Sequence, residues 1–416
     1  MTLRAFLLRI ALGSLAAAAP AAALTAQDSL TTIRRADAVR AAIERGGRLG
    51  VARADTLAAY GALVTARGLI NPILTANRTT DIPHYHVELE LPIDFRGLRS
   101  ARIGAATQAR RASQLRLEFE LASVRLDAET TYTHALAALA RSRLAQRNAA
   151  DADSLRRIAV ARRDAGDASD LDVELATVNA GQRANAAAND SLTFLATLLD
   201  LQVVMGLSDG ALRIALADTL EAPPTDTAFV ASDGTLPVAA AEASLASARL
   251  QSRVQRRSLW SSPSVIGGIE WGDPDPGARQ LLPLFGFVIP VPLLNRNRGA
   301  VLQSNAGLER AQAELSLARV ESRTRIARAA RTRAIALARL ARDRSLVVSA
   351  NRVATMSLTA YREGASTLPN VLEAQRNARE VLGQYVDDLA AVLNAAATLR
   401  TLMLTPTAST SSGTTR

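Results

Sequence analysis

The sequence predicts a mainly α-helical chain with a small β part. Three observations carry that expectation: two very long stretches free of proline, short segments of alternating hydrophobicity, and the recurrence of both in the same order. Proline is absent between Pro92 and Pro223 and again between Pro292 and Pro369. Because proline removes a helical donor and clashes with the preceding turn, its absence permits uninterrupted rods. Alanine is abundant throughout, which favours helix and lets neighbouring backbones approach closely.

Composition excludes several chemistries. With no cysteine among 416 residues, disulfides, thiolate metal sites, a Cys nucleophile and a lipidated Cys are all ruled out. All 49 basic residues are arginine, so neither a Schiff-base lysine nor a P-loop lysine exists. A net charge of +10 raises nucleic acid as a partner, but the arginines interleave with Asp and Glu, and 7 Phe, 5 Tyr and 2 Trp offer few stacking platforms. No nucleic-acid partner is expected.

Taken in chain order, residues 1–26 read as a signal peptide: Arg4 and Arg9 precede an apolar run from Ile10 to Leu24, too short to span a bilayer. A helix from Ser29 to Leu69 follows, then strands at Ile73 to Thr79 and Tyr85 to Ile93. In the second strand Tyr85, Val87, Leu89 and Leu91 alternate with His86, Glu88 and Glu90, giving one apolar and one polar face. A rod from Gly97 to Ala165, about 100 Å long, leads through Gly166 to a helix ending near Met205. Residues 207–235, with Gly210, Pro223 and Pro224, divide the halves.

The second half repeats the plan. A helix from Leu236 to Trp260 leads into strands at Val265 to Trp271 and Phe285 to Leu293, the latter with Phe285, Phe287, Ile289 and Val291 on one face. A second rod runs from Gly299 to Glu363, and a last helix ends near Met403. That helix carries a heptad seam through Leu368, Gln375, Leu382 and Leu389, with Val371, Ala378, Tyr385 and Val392 beside it. The spacing around Gly166, Ser169, Asp172 and Ala176 recurs around Gly364, Thr367, Asn370 and Ala374. An internal duplication is therefore expected: 27–206 as first repeat, 236–404 as second, and 405–416 as a disordered Ser/Thr-rich tail.

A strand pair with one greasy face admits two readings. Either that face packs on the helices, or it meets lipid as in a membrane barrel. Four strands cannot close a barrel, and open edges do not occur in hydrocarbon, so the second reading needs several chains. Three chains would supply twelve strands, and their long antiparallel helices would form a helical barrel continuing below.

At this point the residues resemble a known family, the TolC-like outer membrane factors, exit ducts of tripartite efflux pumps and type I secretion systems. The resemblance rests on Leu30-Thr31 at the first helix, Asn71-Pro72 at the hairpin entry, and Pro292-Leu293-Leu294-Asn295-Arg296-Asn297-Arg298-Gly299 at the strand-to-helix crossing. The last stretch is most similar to the heavy-metal efflux subgroup. Gly166-x-x-Ser169 and Tyr361-x-x-Gly364-x-x-Thr367 resemble the family's periplasmic tip turns, which the resemblance assigns to adaptor docking.

The resemblance implies an outer-membrane homotrimer extending into the periplasm, whose partners are outer-membrane lipid, a periplasmic adaptor (membrane fusion protein) and an inner-membrane pump. It implies a channel constriction at Asp172, Asn370 and Glu373, where three copies of Glu373 would ring one axis. Lipid would meet Tyr85, Val87, Leu89, Leu91, Phe285, Phe287, Ile289 and Val291. No catalytic residue, cofactor or metal site is expected, because the pair His84 and His86 has no cysteine and only His134 to complete a ligand set. The alternative is a periplasmic coiled-coil adaptor or scaffold without a pore.

Overall fold

A computed structural model describes residues 31–94, 96–207, 214–221, 234–258, 263–272, 275, 277, 281–291 and 294–406. The expected signal segment, most of the expected tail and much of 207–235 lie outside these residues. In chain order the elements are β1 (Thr31–Ile33), α1 (Arg35–Arg45), α2 (Gly47–Arg67), β2 (Ile73–Arg78), β3 (Tyr85–Pro92), α3 (Arg96–Asp164), α4 (Asp170–Val204), β4 (Ile214–Leu216), α5 (Leu236–Arg257), β5 (Ser264–Trp271), β6 (Leu282–Val288), α6 (Arg298–Arg362) and α7 (Leu368–Leu402).

Two rods of 69 and 65 residues, α3 and α6, set the length of the molecule, about 100 Å. Each is flanked by shorter helices stacked along it. The first rod packs on α2 and α4 on one side and on α5 and α7 on the other, and the second rod packs on α5 and α7. The resulting layer has two open edges, α2 with α4 at one and α6 at the other. At the middle of the rods the backbone of Leu236, opening α5, donates to Leu404 O just past α7 at 3.0 Å, which fixes one stacked junction.

The heptad seam of α7 is largely buried: Leu368, Val371, Gln375, Ala378, Leu389, Val392 and Leu399 all turn inward. One seam cluster joins Leu389 and Val392 to Ala336 and Leu340 of α6. Interdigitation at this spacing is what holds antiparallel helices side by side.

The structure corrects the first helix. Instead of one helix from Ser29 to Leu69, Thr31–Ile33 is extended and pairs in parallel with Ile214–Leu216. The remainder breaks at Gly46, whose backbone is extended between α1 and α2. The small sheet is pinned to the rod by Tyr132, whose hydroxyl donates to Ile33 O at 3.0 Å within a cluster containing Leu136, Leu198 and Leu201.

At one end of the rods lies a four-stranded antiparallel sheet in the order β2-β3-β5-β6. Its register pairs Leu89 with Gly267 and Gly267 with Phe285, so side chains of like character share a face across three strands. A second correction falls here. The last strand spans Leu282–Val288 and not Phe285 to Leu293. Val288 is already opposite Ser264, the first residue of β5, and Pro290 has no N–H to donate. Ile289 and Val291, expected in the strand, therefore lie exposed just beyond it.

Candidate functional site

Two regions carry the sequence-derived residues, the sheet at one end of the rods and the two turns at the other. In the sheet, Leu74 and Ala76 of β2, Val87, Leu89 and Leu91 of β3, Val265 and Ile269 of β5, and Phe285 and Phe287 of β6 share one face by register. Phe285 and Phe287 are 83% and 76% exposed, so no helix covers this face. Tyr85, at its edge, stacks on Trp271 with ring centroids 5.5 Å apart.

The opposite face is mixed, with carboxylates at its centre and Ile73, Ile266, Leu282, Leu284 and Val288 around them. Glu88, Glu90 and Glu270 lie on it, and His86 bridges two neighbours: its Nδ1 is 3.0 Å from Glu270 Oε1 and its Nε2 is 3.1 Å from Thr79 Oγ1. Among the described residues no three His, Asp or Glu side chains gather as a metal site.

At the far end the two turns lie side by side. Gly166 and Gly364 adopt φ of +85° and +77°, the left-handed conformation that lets a helix end and the chain reverse. Ser169 then caps α4: its hydroxyl accepts Asp172 N–H at 3.2 Å, and the Asp172 carboxylate accepts Ser169 N–H at 3.4 Å. This reciprocal box satisfies two otherwise orphaned donors. Thr367 holds the equivalent place before α7 without a side-chain capping bond, and Pro369 stands second in that helix, where a missing N–H costs nothing.

The sequence reading missed what joins the turns. Arg162, near the end of α3, donates from Nη1 to Tyr361 O at 2.6 Å and from Nη2 to Asp167 O at 3.1 Å. Its guanidinium also sits 4.7 Å from the Tyr361 ring centroid. Beneath it Leu155, Ala159, Ala176, Leu368 and Val371 close around the Tyr361 ring. Burial, reinforced by the nearby Asp172 charge, raises the Tyr361 phenol above its ordinary pKa. No sequence signal separates Arg162 from the other arginines.

Of the three constriction candidates, Asp172 is engaged in the α4 cap, Asn370 is exposed on the first turn of α7, and Glu373 pairs with Arg376 one turn on at 2.8 Å. None of the described helices is long and apolar enough to cross a membrane.

A four-stranded sheet with one bare apolar face thus stands at one end of paired rods that end in joined turns. No family model matches the chain, and no curated protein matches it. Solved structures do. CusC, whose structures concern transmembrane channel formation, aligns over 91% of this chain and 93% of its own, at TM-score 0.75 and 15% identity. The outer membrane protein VceC of Vibrio cholerae aligns over 89% and 96%, at TM-score 0.72 and 15% identity. The MtrE outer membrane channel of Neisseria gonorrhoeae aligns over 90% of both chains, at TM-score 0.70 and 17% identity. The chain has the TolC-like outer-membrane-channel fold.

Proposed function

We propose that the chain is one protomer of a homotrimeric outer-membrane exit duct, serving a tripartite efflux or type I secretion system and carrying out no catalysis. The observation that carries this reading is the uncovered apolar face of the four-stranded sheet. Four strands with free edges are not stable in hydrocarbon, whereas three copies would close twelve strands with the apolar face outward and Glu88, Glu90 and Glu270 inward.

The helices support the same closure. On the described helices, every large exposed hydrophobic residue lies on α2, α4 or α6, the open edges of the layer. Head-to-tail contact of one edge with the other generates a closed ring. The tip turns at Gly166 and Gly364 would then form the periplasmic end, where Asp172, Asn370 and Glu373 narrow the passage and the adaptor and inner-membrane pump dock. Within this reading 27–206 and 236–404 are the two copies of an internal duplication, joined by 207–235. The equal 35-residue lengths of α4 and α7 support it.

Membrane fractionation and gel migration test the proposal. Recovery with outer membranes, as a species that runs as a trimer unheated and as a monomer after boiling, is the expected result. A soluble periplasmic monomer would instead favour a scaffold without a pore.

A further inference from the structure

The two open edges carry matching patterns. Along the outward side of α4, Leu171, Leu175 and Val178 lead through Gln182, Asn185 and Asn189 to Leu192 and Ala196, in steps of four and three. This is a heptad seam, and it is exposed: Val178 is 57% accessible. The outward side of α6, followed back from its end, runs Met356, Val353, Ser349, Leu346 and Arg342 to Ala338 and Ile335, with Val353 53% accessible.

The tip fixes how these seams align. Adjacent arginines of α3 reach both helices there, Arg162 to Tyr361 O at 2.6 Å and Arg163 to Asp170 at 3.9 Å, so Asp170 and Tyr361 lie at one level. Rotation about an axis parallel to the rods preserves level between copies. Equal steps up α4 from Asp170 and back along α6 from Tyr361 bring Leu175 level with Met356 and Val178 level with Val353. The same count brings Gln182 to Ser349, Asn189 to Arg342 and Ala196 to Ile335. Apolar meets apolar and polar meets polar at these levels; Asn185 opposite Leu346 is an exception inside the polar block, and Leu192 comes level with Arg339, one step short of Ala338.

We propose that this α4 seam zips antiparallel onto the α6 seam of a second copy of the chain, with Gln182 against Ser349 and Asn189 against Arg342 fixing the register. The inference rests on the trimeric reading above and specifies its contact. Charge favours the same partner. Helix α4 carries five carboxylates against Arg183 alone, and α6 beyond Arg331 carries arginines against Asp343 alone. At the end of the count, exposed Asp200 stands level with exposed Arg331.

The natural absence of cysteine makes the test direct. A chain carrying Val178→Cys and Val353→Cys is expected to form disulfide-linked dimers and trimers on mild oxidation. Val178→Cys with Leu346→Cys, displaced by about 10 Å along the helix, is expected to give at least roughly tenfold less. Native trimers that cross-link equally in both cases, or in neither, would overturn the seam while leaving the trimer intact. Linkage through position 178 only to a different protein would overturn it as well. An unlinked native monomer would overturn the trimeric reading itself. Independently, Asp200→Arg should weaken trimer recovery in low salt and Arg331→Asp should restore it. No rescue with intact helical circular dichroism counts against the seam.

Discussion

The guanidinium of Arg162 lies 4.7 Å from the Tyr361 ring centroid while its Nη1 donates to the carbonyl of the same tyrosine at 2.6 Å. One side chain thereby ties the turn after α3 to the turn after α6, and a second bond to Asp167 O keeps it from swinging away. Removing it should loosen both turns together. Arg162→Ala is expected to lower the local opening free energy of the tip by about 1–3 kcal/mol, the range for a charge-assisted hydrogen bond with a cation–π contact. Hydrogen exchange at residues 155–176 and 358–372 reads this directly. Arg162→Lys should recover little, because an ammonium cannot stack and donate in two directions from one plane. Unchanged protection in the alanine variant would show that the apolar cluster alone joins the turns.

The two glycines of the tip make a separate prediction. A β-carbon at Gly166 meets nothing, and one at Gly364 finds only Arg162 Nη2 at 3.6 Å, an ordinary contact. Space is therefore not the constraint; the backbone is. Gly166→Ala and Gly364→Ala should each cost about 1–2 kcal/mol from the left-handed conformation. Asn at either place should cost less, since its short side chain tolerates that region better. Proteolysis at the turn in the alanine variants, with resistance in the asparagine ones, is the expected pattern; equal resistance would contradict it.

These features differ in how far the sequence discloses them. The rods α3 and α6 are legible because nothing interrupts them, and β3 because its alternation is local. The small β1–β4 pair is not, since three residues carry no period and their partners are far apart in the chain. The end of β6 slips because Phe287, Ile289 and Val291 continue the alternation past the point where β5 can supply a partner. Gly166, Ser169 and Gly364 stand out through repetition, whereas Arg162 is one arginine among many and becomes distinctive only when folding brings Tyr361 beneath it.

A buried acid pair between α6 and α7 predicts a pH dependence. Asp343 and Asp388 are 8% and 4% exposed, and Asp343 Oδ2 has no hydrogen-bond partner. Burial, then the neighbouring Asp388 carboxylate, raise the Asp343 carboxyl above its ordinary range, with Arg342 and Arg339 opposing. The folded chain thus holds a proton that the unfolded chain releases near pH 4, so stability falls as pH rises from there through the folded-state value. Asp343→Asn keeps the shape without the charge. Its melting temperature should exceed that of the natural protein at pH 7–8 and converge with it near pH 4. Parallel pH profiles for the two proteins would remove the pair as the cause.

The last prediction separates the two faces of the sheet. Phe285 and Phe287 are almost fully accessible, and register places Val265 and Gly267 beside them, so an arginine here meets no compensating charge on its own face. If the face lies in lipid, Phe285→Arg should cost about 2–4 kcal/mol of membrane insertion. If it lies in water, the same substitution should be nearly neutral, because exposed surface tolerates arginine. Thr75, opposite Glu88 on the other face, provides the internal comparison. Thr75→Arg should insert normally under the duct reading, where it points into water and stands beside a carboxylate. The quantity to measure is the fraction of each variant recovered as membrane-embedded trimer from cells expressing equal amounts. Loss for Phe285→Arg with retention for Thr75→Arg assigns the apolar face to lipid. Equal recovery of both would mean that the face never meets hydrocarbon, and the sheet would then have to be the capping end of a water-soluble rod.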